Sequence, residues 1–348
     1  MLAAESNLTR SEGAPRPEGA CSWKEIVEPV EPFLEAVSQR LARQVHEFDP
    51  ALGPYAEYTL TGNGKHLRPT LVALAANSIG KVNDSHVTVA VIIEMVHLAT
   101  LVHDDIMDEA EIRRGQLTLA ANWGNEIAVL FGDCLFAQAL KLAASFPTPE
   151  ICRAVAASTN TVCSGEILQT RHRRNFERSR REYFRVLEMK TAELFALSCE
   201  LAACLSGATT AQRGALRQFG LSFGTAYQIY DDCVDLFGTE AAAGNSLGTD
   251  LAKGKLTLPV LLGWERATPA ERLRLEETLK NWEPTAMPWV TELLVRHDTL
   301  SPTLGILAEN LDRARHALRG MPVSDGRAGL LDLTDFLTRQ TEALGVCA

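Results

Sequence analysis

From Trp23 almost to the C-terminal end, apolar residues recur at spacings of three and four, and this periodicity constrains the fold most. Such spacing places apolar side chains on one face of an α-helix, whereas a half-buried strand alternates polar and apolar residues. No convincing alternating run occurs in the sequence. We therefore predict an all-α helical bundle. Turn signals near residues 61, 80, 146, 205 and 241 divide it into helices over about 24–47, 65–80, 84–108, 116–145, 149–171, 179–206 and 210–237, with shorter ones to 345.

The chain of 348 residues contains no repeat of fixed period and no long linker, so we predict one helical domain over residues 23–348. The preceding residues 1–22 begin "MLAAESNLTRSEGAPRPEGA", a mixture of Glu, Ser, Gly, Pro and Ala without an apolar segment. Such a composition is typical of a disordered arm rather than of a signal or transit peptide.

Charge and cysteine content exclude several classes of function. A formal net charge of −10 and a pI near 5.4 argue against nucleic acid as a partner, so any anionic ligand must be held by local cations or metal. The eight cysteines form no CxxC pair and are interpreted as buried, reduced thiols of a cytoplasmic protein. No apolar stretch reaches the roughly 18 uninterrupted residues of a membrane span, so a soluble protein is expected.

Two acidic clusters follow apolar helical runs at distant points of the chain. "LVHDDIMDEAEIRRG" contains Asp104, Asp105 and Asp108, and "AYQIYDDCVDLFG" contains Asp231, Asp232 and Asp235 at the same spacing. Residues four apart share a helix face, and carboxylates at a helix C-terminal end repel each other and oppose the macrodipole. One such cluster is more often a solvated helix end. Two of them predict facing walls of one site for hard cations such as Mg²⁺.

Cationic residues accompany these clusters along the chain. "GNGKHLRP" carries Lys65 and Arg68 at a predicted helix start, where free backbone N–H groups also favour an anion. Further cations follow each acidic cluster or lie between them: Arg113 and Arg114, Lys190 beside Thr191 in "EMKTAELF", and Lys253 and Lys255 in "DLAKGKLTLP". Each alone is more often a surface charge, but together they predict two phosphorylated groups in one cavity.

In these motifs the chain resembles the trans (all-E) polyprenyl diphosphate synthases, most of all the medium- and long-chain, octaprenyl-type members. The resemblance covers about residues 24 to 345, with "GNGKHLRP", "HDDIMDEAEIRRG", "KTAELF", "YQIYDDCVDLFG" and "LGTDLAKGKLTLP" in the family's order. It implies an isoprenoid synthase bundle with a central cavity, a homodimer, and a prenyltransferase that condenses isopentenyl diphosphate with an allylic diphosphate by head-to-tail 1'-4 elongation. It also implies Mg²⁺, about three ions per site with substrate bound.

The resemblance assigns roles to the matching positions. Asp104, Asp108 and Asp231 resemble the principal Mg²⁺ ligands, with Asp105, Asp232 and Asp235 supporting them through water. Lys65, Arg68, His97 and Arg114 resemble the isopentenyl diphosphate pocket, and Arg113, Lys190, Thr191, Gln228 and Lys255 the groups around the allylic diphosphate. For His97 a role as a packed core residue is the alternative.

One position departs from the family pattern. Where many relatives carry a lysine in a "GKxxGxD" segment, this chain reads "GNSLGTD", with Asn245 in that place. Asparagine donates hydrogen bonds to phosphate but carries no charge, so stabilisation of the leaving group is expected to rest more on Lys190 and Lys255.

Product length is expected to depend on a hydrocarbon tunnel below the first cluster. Ala99 lies five residues before Asp104, with Met95 and Ile92 on the following turns, and Phe136 and Leu140 are candidates for the tunnel floor. Short-chain relatives often place an aromatic residue at the position of Ala99, so its small side chain favours a product of roughly C30 to C50. The alternative is that alanine is simply a good helix-packing residue.

The segment 170–183, "TRHRRNFERSRREY", is a basic island in an acidic protein. Its simplest interpretation is a solvated loop, and the sharper hypothesis is weak peripheral contact with an anionic membrane surface.

Three other functions compete with a medium- or long-chain synthase. A geranylgeranyl- or farnesyl-type short-chain synthase differs in tunnel depth alone and is the main alternative. A class I terpene cyclase would not need cations for a second diphosphate, and a non-catalytic regulatory subunit is expected to have lost one acidic cluster.

Overall fold

The computed structural model describes residues 22–62, 64, 66–113, 115–239 and 247–347, with side chains through residue 344. The all-α prediction is confirmed. The α-helices are Trp23–Val27 (α1), Glu31–Gln44 (α2), Gly53–Leu60 (α3), Leu67–Asn77 (α4), Asp84–Met107 (α5), Leu119–Trp123 (α6), Asn125–Ala144 (α7), Glu150–Arg171 (α8), Arg180–Leu187 (α9), Glu193–Leu205 (α10), Thr210–Phe237 (α11), Thr249–Ala252 (α12), Leu258–Arg266 (α13), Pro269–Lys280 (α14), Met287–Arg296 (α15), Leu300–Ala317 (α16) and Asp325–Cys347 (α17). Short 3₁₀ turns lie at Glu28–Val30, Val45–Glu47, Pro50–Leu52 and Pro284–Ala286.

Two long helices begin where their capping residues predict. Asn83 accepts hydrogen bonds from the backbone N–H groups of Ser85 and His86, which starts α5. Thr209 and Gln212 form a reciprocal capping box at the start of α11. These contacts satisfy backbone donors that a helix leaves unpaired at its N-terminal end.

Three predicted helices are divided in the structure. The predicted helix 116–145 is wrong at its start, because strands Ile112–Arg113 (β1) and Gln116–Leu117 (β2) form an antiparallel hairpin and Gly124, at φ +87°, separates α6 from α7. The predicted helix 179–206 contains a π-helical turn at Glu188–Ala192. The predicted helix 24–47 is divided by the 3₁₀ turn at Glu28–Val30, where Pro29 removes a backbone donor.

Helices α5, α10 and α11 form the centre of the bundle. Helix α5 packs against α4 and α7, α10 packs against α4 and α11, and α11 packs against α16. Because α5 and α11 are surrounded by other helices, most of their residues are buried. The two acidic clusters lie in the last turns of these helices, so the core fixes the position of both.

The structure bears on two expectations about composition and corrects the one about the cysteines. The six cysteines with described side chains are all free, but among them Cys199 and Cys233 alone are buried, and Cys163 is exposed. By length and composition, α5 and α7 are both long and apolar enough to cross a membrane. Helix α5 is a mostly buried core helix, whereas α7 keeps much of its apolar surface outside the core.

Candidate active site

A cleft with a cavity volume of about 90 Å³, open to solvent, brings side chains of the two acidic clusters together. Asp104 and Asp108 from α5 and Asp232 from α11 all line it. Its other polar lining residues are Arg113, Gln169, Arg178, Tyr183, Lys190, Thr191, Gln228, Thr249, Asp250, Lys253, Lys255 and Thr257, and its apolar ones are Val186, Leu187 and Leu256. Side chains from the two acidic clusters, more than a hundred positions apart in the sequence, therefore lie in one cleft.

Asp108 is the most heavily paired carboxylate of the first cluster. It accepts from Arg173 at 2.8 Å, from Lys255 at 2.9 Å and lies 3.1 Å from Lys253. Burial opposes its ionisation, but Lys255 and Lys253 outweigh burial and hold the pKa of the carboxyl well below its usual value. In turn, although burial disfavours the Lys255 ammonium, Asp250 and Asp108 raise its pKa. Both groups are therefore charged at neutral pH.

Lys190 joins the first cluster to helix α8. Its ammonium lies 3.3 Å from Asp104, forms an ion pair with Glu166 and donates to Gln169 at 2.7 Å. The π-helical turn that carries Lys190 also carries Thr191, whose hydroxyl donates to Gln228 at 3.0 Å. A π-turn widens the helix locally and is frequent at functional sites, and here it presents two consecutive polar side chains to the cleft.

Asp105 and Arg113 form a separate ion pair. The Arg113 Nε donates to the Asp105 carboxylate at 2.6 Å, across the start of the β1–β2 hairpin. Burial raises the pKa of Asp105, and Arg113 partly opposes that rise. Arg113 thus lies against one carboxylate while it also lines the cleft.

The carboxylates of the second cluster have different partners. Asp232 accepts from the Tyr183 hydroxyl at 2.6 Å and from the Gln228 amide at 2.8 Å, and Asp231 is buried beside it. Asp235 accepts from Thr249, through its backbone N–H at 3.0 Å and its hydroxyl at 2.8 Å, and from the backbone N–H of Asp250 at 3.2 Å. Asp235 therefore holds the segment after residues 240–246 against α11.

The second cluster has the chemistry of a divalent metal site. Burial, followed by repulsion from Asp250, raises the pKa of both Asp232 and Asp235. Burial is the larger cause of this rise, and carboxylate oxygens are the ligands that Mg²⁺ prefers, so these side chains are of the type that a divalent metal ion binds. Among the described residues, no three Asp, Glu, His or Cys side chains already converge on one point as a metal would require. The residue types of both clusters fit Mg²⁺. In this structure the carboxylates of the first cluster pair with Lys and Arg side chains.

Two of the four residues predicted for the isopentenyl diphosphate pocket, Lys65 and Arg114, lie outside the described residues, as does Asn245. The other two, Arg68 on α4 and His97 on α5, are each 3% exposed. The Arg68 guanidinium lies over the Phe195 ring, 4.9 Å from its centroid. A second cleft includes Asp105, Arg113, Leu98 and Leu101, so a cavity adjoins the first cluster on its hairpin side.

The residues predicted to set product length lie in or against the core. Ile92, Met95 and Ala99 are fully buried on α5, and Phe136 and Leu140 on α7 are partly buried. The Phe136 ring packs against His103 of α5 at 5.7 Å between centroids. The helix pair α5 and α7 therefore carries all five side chains, and their role in product length stays a prediction.

Sequence reasoning missed several residues of the cleft. Five residues of α8, α9 and the basic segment between them line the cleft or pair with a charged residue that lines it. They are Glu166, Gln169, Arg173, Arg178 and Tyr183. Arg173 and Arg178 disagree with the interpretation of residues 170–183 as a solvated loop, because Arg173 pairs with Asp108 and Arg178 is buried. Charge density in the sequence marked this segment, but nothing in its spacing indicated which arginines turn inward.

Comparison with known proteins identifies the family. A profile of the polyprenyl synthetase family matches residues 49–294. The chain belongs to the polyprenyl synthetase family. It is 33% identical to the octaprenyl diphosphate synthase of Haemophilus influenzae, over 90% of this chain and 95% of that protein. It is 36% identical to the heptaprenyl diphosphate synthase component 2 of Geobacillus stearothermophilus, over 88% and 95%.

The solved structures of polyprenyl synthetases agree with this assignment. The Caulobacter crescentus polyprenyl synthase, complexed with calcium and isoprenyl diphosphate, superposes with a TM-score of 0.86 at 33% identity, over 93% of this chain and 99% of that one. Polyprenyl synthetases are prenyltransferases that use a divalent metal ion. The family resemblance seen in the motifs is confirmed.

Proposed function

We propose that this polyprenyl synthetase condenses isopentenyl diphosphate with an allylic diphosphate to give an all-trans polyprenyl diphosphate of roughly C30 to C50. The observation that carries the proposal is the cleft in which Asp104, Asp108 and Asp232 meet Lys190 and Lys255. A single cleft with two acidic clusters and several buried cations suits a substrate whose diphosphate must leave as an anion.

The reaction begins with ionisation of the allylic C–O bond, which leaves negative charge on pyrophosphate and a delocalised carbocation. Lys190, Lys255 and Arg113 are the proposed groups that stabilise the developing phosphate charge, and the fact that all three line the cleft supports this role. The double bond of isopentenyl diphosphate then attacks the cation, and loss of a proton restores an alkene. Pyrophosphate is itself a suitable proton acceptor, so the chemistry requires no separate side-chain base.

Asp104, Asp108 and Asp231 are the proposed Mg²⁺ ligands, about three ions being held when substrate is bound. The metal supplies Lewis-acid stabilisation of the diphosphate oxygens. Val186, Leu187 and Leu256 provide apolar surface in the same cleft. This surface shields a carbocation from water, which would otherwise convert it to an alcohol.

Sizing of the reaction product tests this proposal and its main alternative. The purified protein is incubated with radiolabelled isopentenyl diphosphate, Mg²⁺ and, in separate reactions, geranyl, farnesyl or geranylgeranyl diphosphate. We expect dephosphorylated products longer than C20. Products that stop at C15 or C20 would assign a short-chain synthase, and no incorporation with any allylic primer would overturn the prenyltransferase assignment.

A homodimer is also part of the proposal, and the surface of α7 supports it. Val129 and Leu130 of α7 are large exposed apolar side chains, as is Trp123 of α6, which packs against α7. The hairpin before α6 exposes Ile112 and Leu117. Apolar exposure of this kind on a single chain marks a surface for protein contact.

We also propose weak contact of residues 170–183 with an anionic membrane surface, through fewer basic side chains than the sequence of the segment contains. Arg171, Arg174 and Arg181 remain exposed after Arg173 and Arg178 turn inward, and Arg180 pairs with Glu265. Each exposed basic residue near an anionic surface contributes about 1 kcal/mol. Vesicle cosedimentation is expected to increase with the fraction of anionic lipid, and no dependence on anionic lipid would remove this proposal.

A further inference from the structure

Arg178 is a buried cation that the motifs do not mark. It lies between α8 and α9 in the basic segment, is 8% exposed, and lines the cleft that contains the acidic clusters. Its guanidinium lies over the Tyr183 ring, 5.5 Å from the centroid. Since the Tyr183 hydroxyl donates to Asp232, Arg178 is held one side chain away from the second acidic cluster.

The hydrogen bonding of Arg178 is incomplete. Its Nη2 donates to the backbone carbonyl of Glu182 at 3.1 Å, but its Nε is buried without a hydrogen-bond partner in the described part of the chain. The Thr257 hydroxyl, which lines the same cleft and is 5% exposed, is likewise buried without a partner there. Buried donors are rarely left unpaired, and these two line the same cleft, so both are available to an acceptor that enters it.

Arg178 also lacks a direct ion-pair partner among the described residues. Lys190 pairs with Asp104, Lys255 with Asp108 and Arg113 with Asp105, whereas Arg178 forms no ion pair with any described carboxylate. A buried guanidinium without a counter-ion is costly, and an anionic ligand removes that cost. An anion with several acceptor oxygens would supply both the missing hydrogen bond and the counter-charge.

We propose that Arg178 and Thr257 form an anion subsite that contacts the diphosphate of the allylic substrate and retains it as pyrophosphate after ionisation. This inference rests on the proposed prenyl transfer. The guanidinium fork matches two phosphate oxygens at once, which a lysine ammonium does not, and the Thr257 hydroxyl donates to a further oxygen. The stacked Tyr183 ring keeps the fork in one orientation, so less freedom is lost on binding.

Calorimetric binding of inorganic pyrophosphate, in the presence of Mg²⁺, tests the subsite without requiring turnover. Arg178→Gln is expected to weaken pyrophosphate binding at least about tenfold and to raise the KM for the allylic diphosphate to a similar extent, because it removes a charge-assisted contact. The KM for isopentenyl diphosphate is expected to stay within about twofold. Arg178→Lys restores part of the loss because it keeps the charge, and Thr257→Val shows a smaller loss of about threefold.

Arg180→Gln is the matched control, since Arg180 lies two residues away and pairs with Glu265 on the surface. Its pyrophosphate affinity and kinetic constants are expected to equal those of the wild type. The Tm of every variant is measured, because Arg178 also stacks on Tyr183.

An Arg178→Gln protein with wild-type pyrophosphate affinity and allylic KM overturns the subsite, and a lowered Tm with both constants unchanged assigns Arg178 a structural role instead. If the wild type incorporates no isopentenyl diphosphate but its pyrophosphate binding still depends on Arg178, the proposed function fails while the anion site stands. If the wild type turns over and Arg178→Gln changes nothing, the subsite alone fails.

Discussion

Asp108 shows how individual residues of the cleft balance their charges. Arg173, Lys253 and Lys255 all lie within 3.1 Å of its carboxylate, so a single aspartate faces three cations. Asp232 has the opposite environment, because its partners are the neutral Tyr183 and Gln228 and its charged neighbours are acidic. The first acidic cluster is therefore balanced by the protein's own cations, whereas Asp232 has neutral hydrogen-bond partners and acidic neighbours.

At Ala99 we predict that side-chain size controls product length. Ala99→Val and Ala99→Tyr add volume at a fully buried position five residues before Asp104, so each is expected to shorten the product, Tyr more than Val. Ala99→Ser preserves size and serves as the control, with product length unchanged. Chromatographic sizing of the dephosphorylated products measures the effect.

Overpacking at a core position costs typically about 1–3 kcal/mol, so the Tm of each Ala99 variant is recorded beside its product profile. A folded, active Ala99→Tyr enzyme that makes the same products as the wild type would show that Ala99 does not line the hydrocarbon path.

A site residue could be predicted from the sequence when the pattern that marks it is local, that is, contained within one helix or motif. Asp104 and Asp108 repeat within one helical turn, and a second copy of that spacing made a shared site predictable. Arg178 and Tyr183 have no such signal, because their relation to Asp232 spans about fifty positions and exists only after α9 packs against α11. The capping role of Asp235 was missed for the same reason, since its partners Thr249 and Asp250 follow a turn.

At the scale of elements, close helix contacts position the reactive side chains. Helix α8 approaches the π-helical turn so closely that a Cβ at Gly165 would lie 2.8 Å from the backbone nitrogen of Lys190 and 3.1 Å from its Cα. The absence of a side chain at Gly165 is thus what allows Lys190 to reach Asp104, Glu166 and Gln169.

We predict that Gly165→Ala displaces the π-helical turn. Because the contact is with backbone, the turn must move, and the rate of isopentenyl incorporation is expected to fall on the order of tenfold to a hundredfold. Unfolding should become easier by about 1–3 kcal/mol. Gly214→Ala on α11 is the control, because nothing lies within 4 Å of its Cβ, and it should stabilise the protein by about 0.4–1 kcal/mol. Equal rates for the two variants would contradict the account.

His86 connects the start of α5 to the end of α10, and it makes this contact dependent on pH. The fully buried ring accepts from the Asn83 backbone N–H through Nδ1 at 3.0 Å, and its Nε2 lies 3.2 Å from the Ala202 carbonyl and 3.0 Å from the Ser206 hydroxyl. Burial lowers the pKa of His86, and the Ala202 carbonyl opposes that shift in part. The folded protein therefore holds His86 neutral.

A lowered pKa in the folded state predicts loss of stability in acid. Below pH 6.5 the unfolded chain binds a proton at His86 before the folded chain does, so the free energy of unfolding falls as the pH drops. We expect the contribution of His86 to be complete above that pH. His86→Gln should be less stable at pH 7.5 but lose less on acidification, as measured by denaturant unfolding at several pH values. Parallel pH profiles for both proteins would refute this role.

The helical elements were predictable to the extent that their ends carry local signals. Asn83 and Thr209 fixed the starts of α5 and α11 through their capping side chains. The hairpin at 112–117 was not predicted, because two-residue strands are too short to show an alternation of polar and apolar residues. The π-helical turn was not predicted, because one extra residue in a single turn barely alters the spacing of apolar residues.

At the scale of the whole molecule, the exposed apolar face of α7 is the surface through which we expect two copies of the chain to form a homodimer. Leu130 is 62% exposed on a helix that otherwise contributes Phe131 and Leu135 to the core. We predict that Leu130→Glu converts a dimer to a monomer, because a buried, unpaired carboxylate in the contact would be costly. Size-exclusion chromatography with light scattering measures the mass.

Leu273→Glu provides the matched control, since Leu273 is 70% exposed on α14, remote in sequence from α7. Its mass should equal that of the wild type. A monomeric wild type, or a Leu130→Glu protein that stays dimeric, would contradict the proposed homodimer.

In the proposed function, the ends of α5 and α11 form one metal-dependent site for prenyl transfer. The most direct test is the rate of isopentenyl incorporation, at saturating Mg²⁺, for the wild type, Asp104→Asn, Asp231→Asn and the double variant. Each single change is expected to lower the rate at least about a hundredfold, and the double variant should lose little more than the worse single one, because groups that act together are not additive. A near wild-type rate for either single variant, or losses that multiply in the double variant, would contradict the claim.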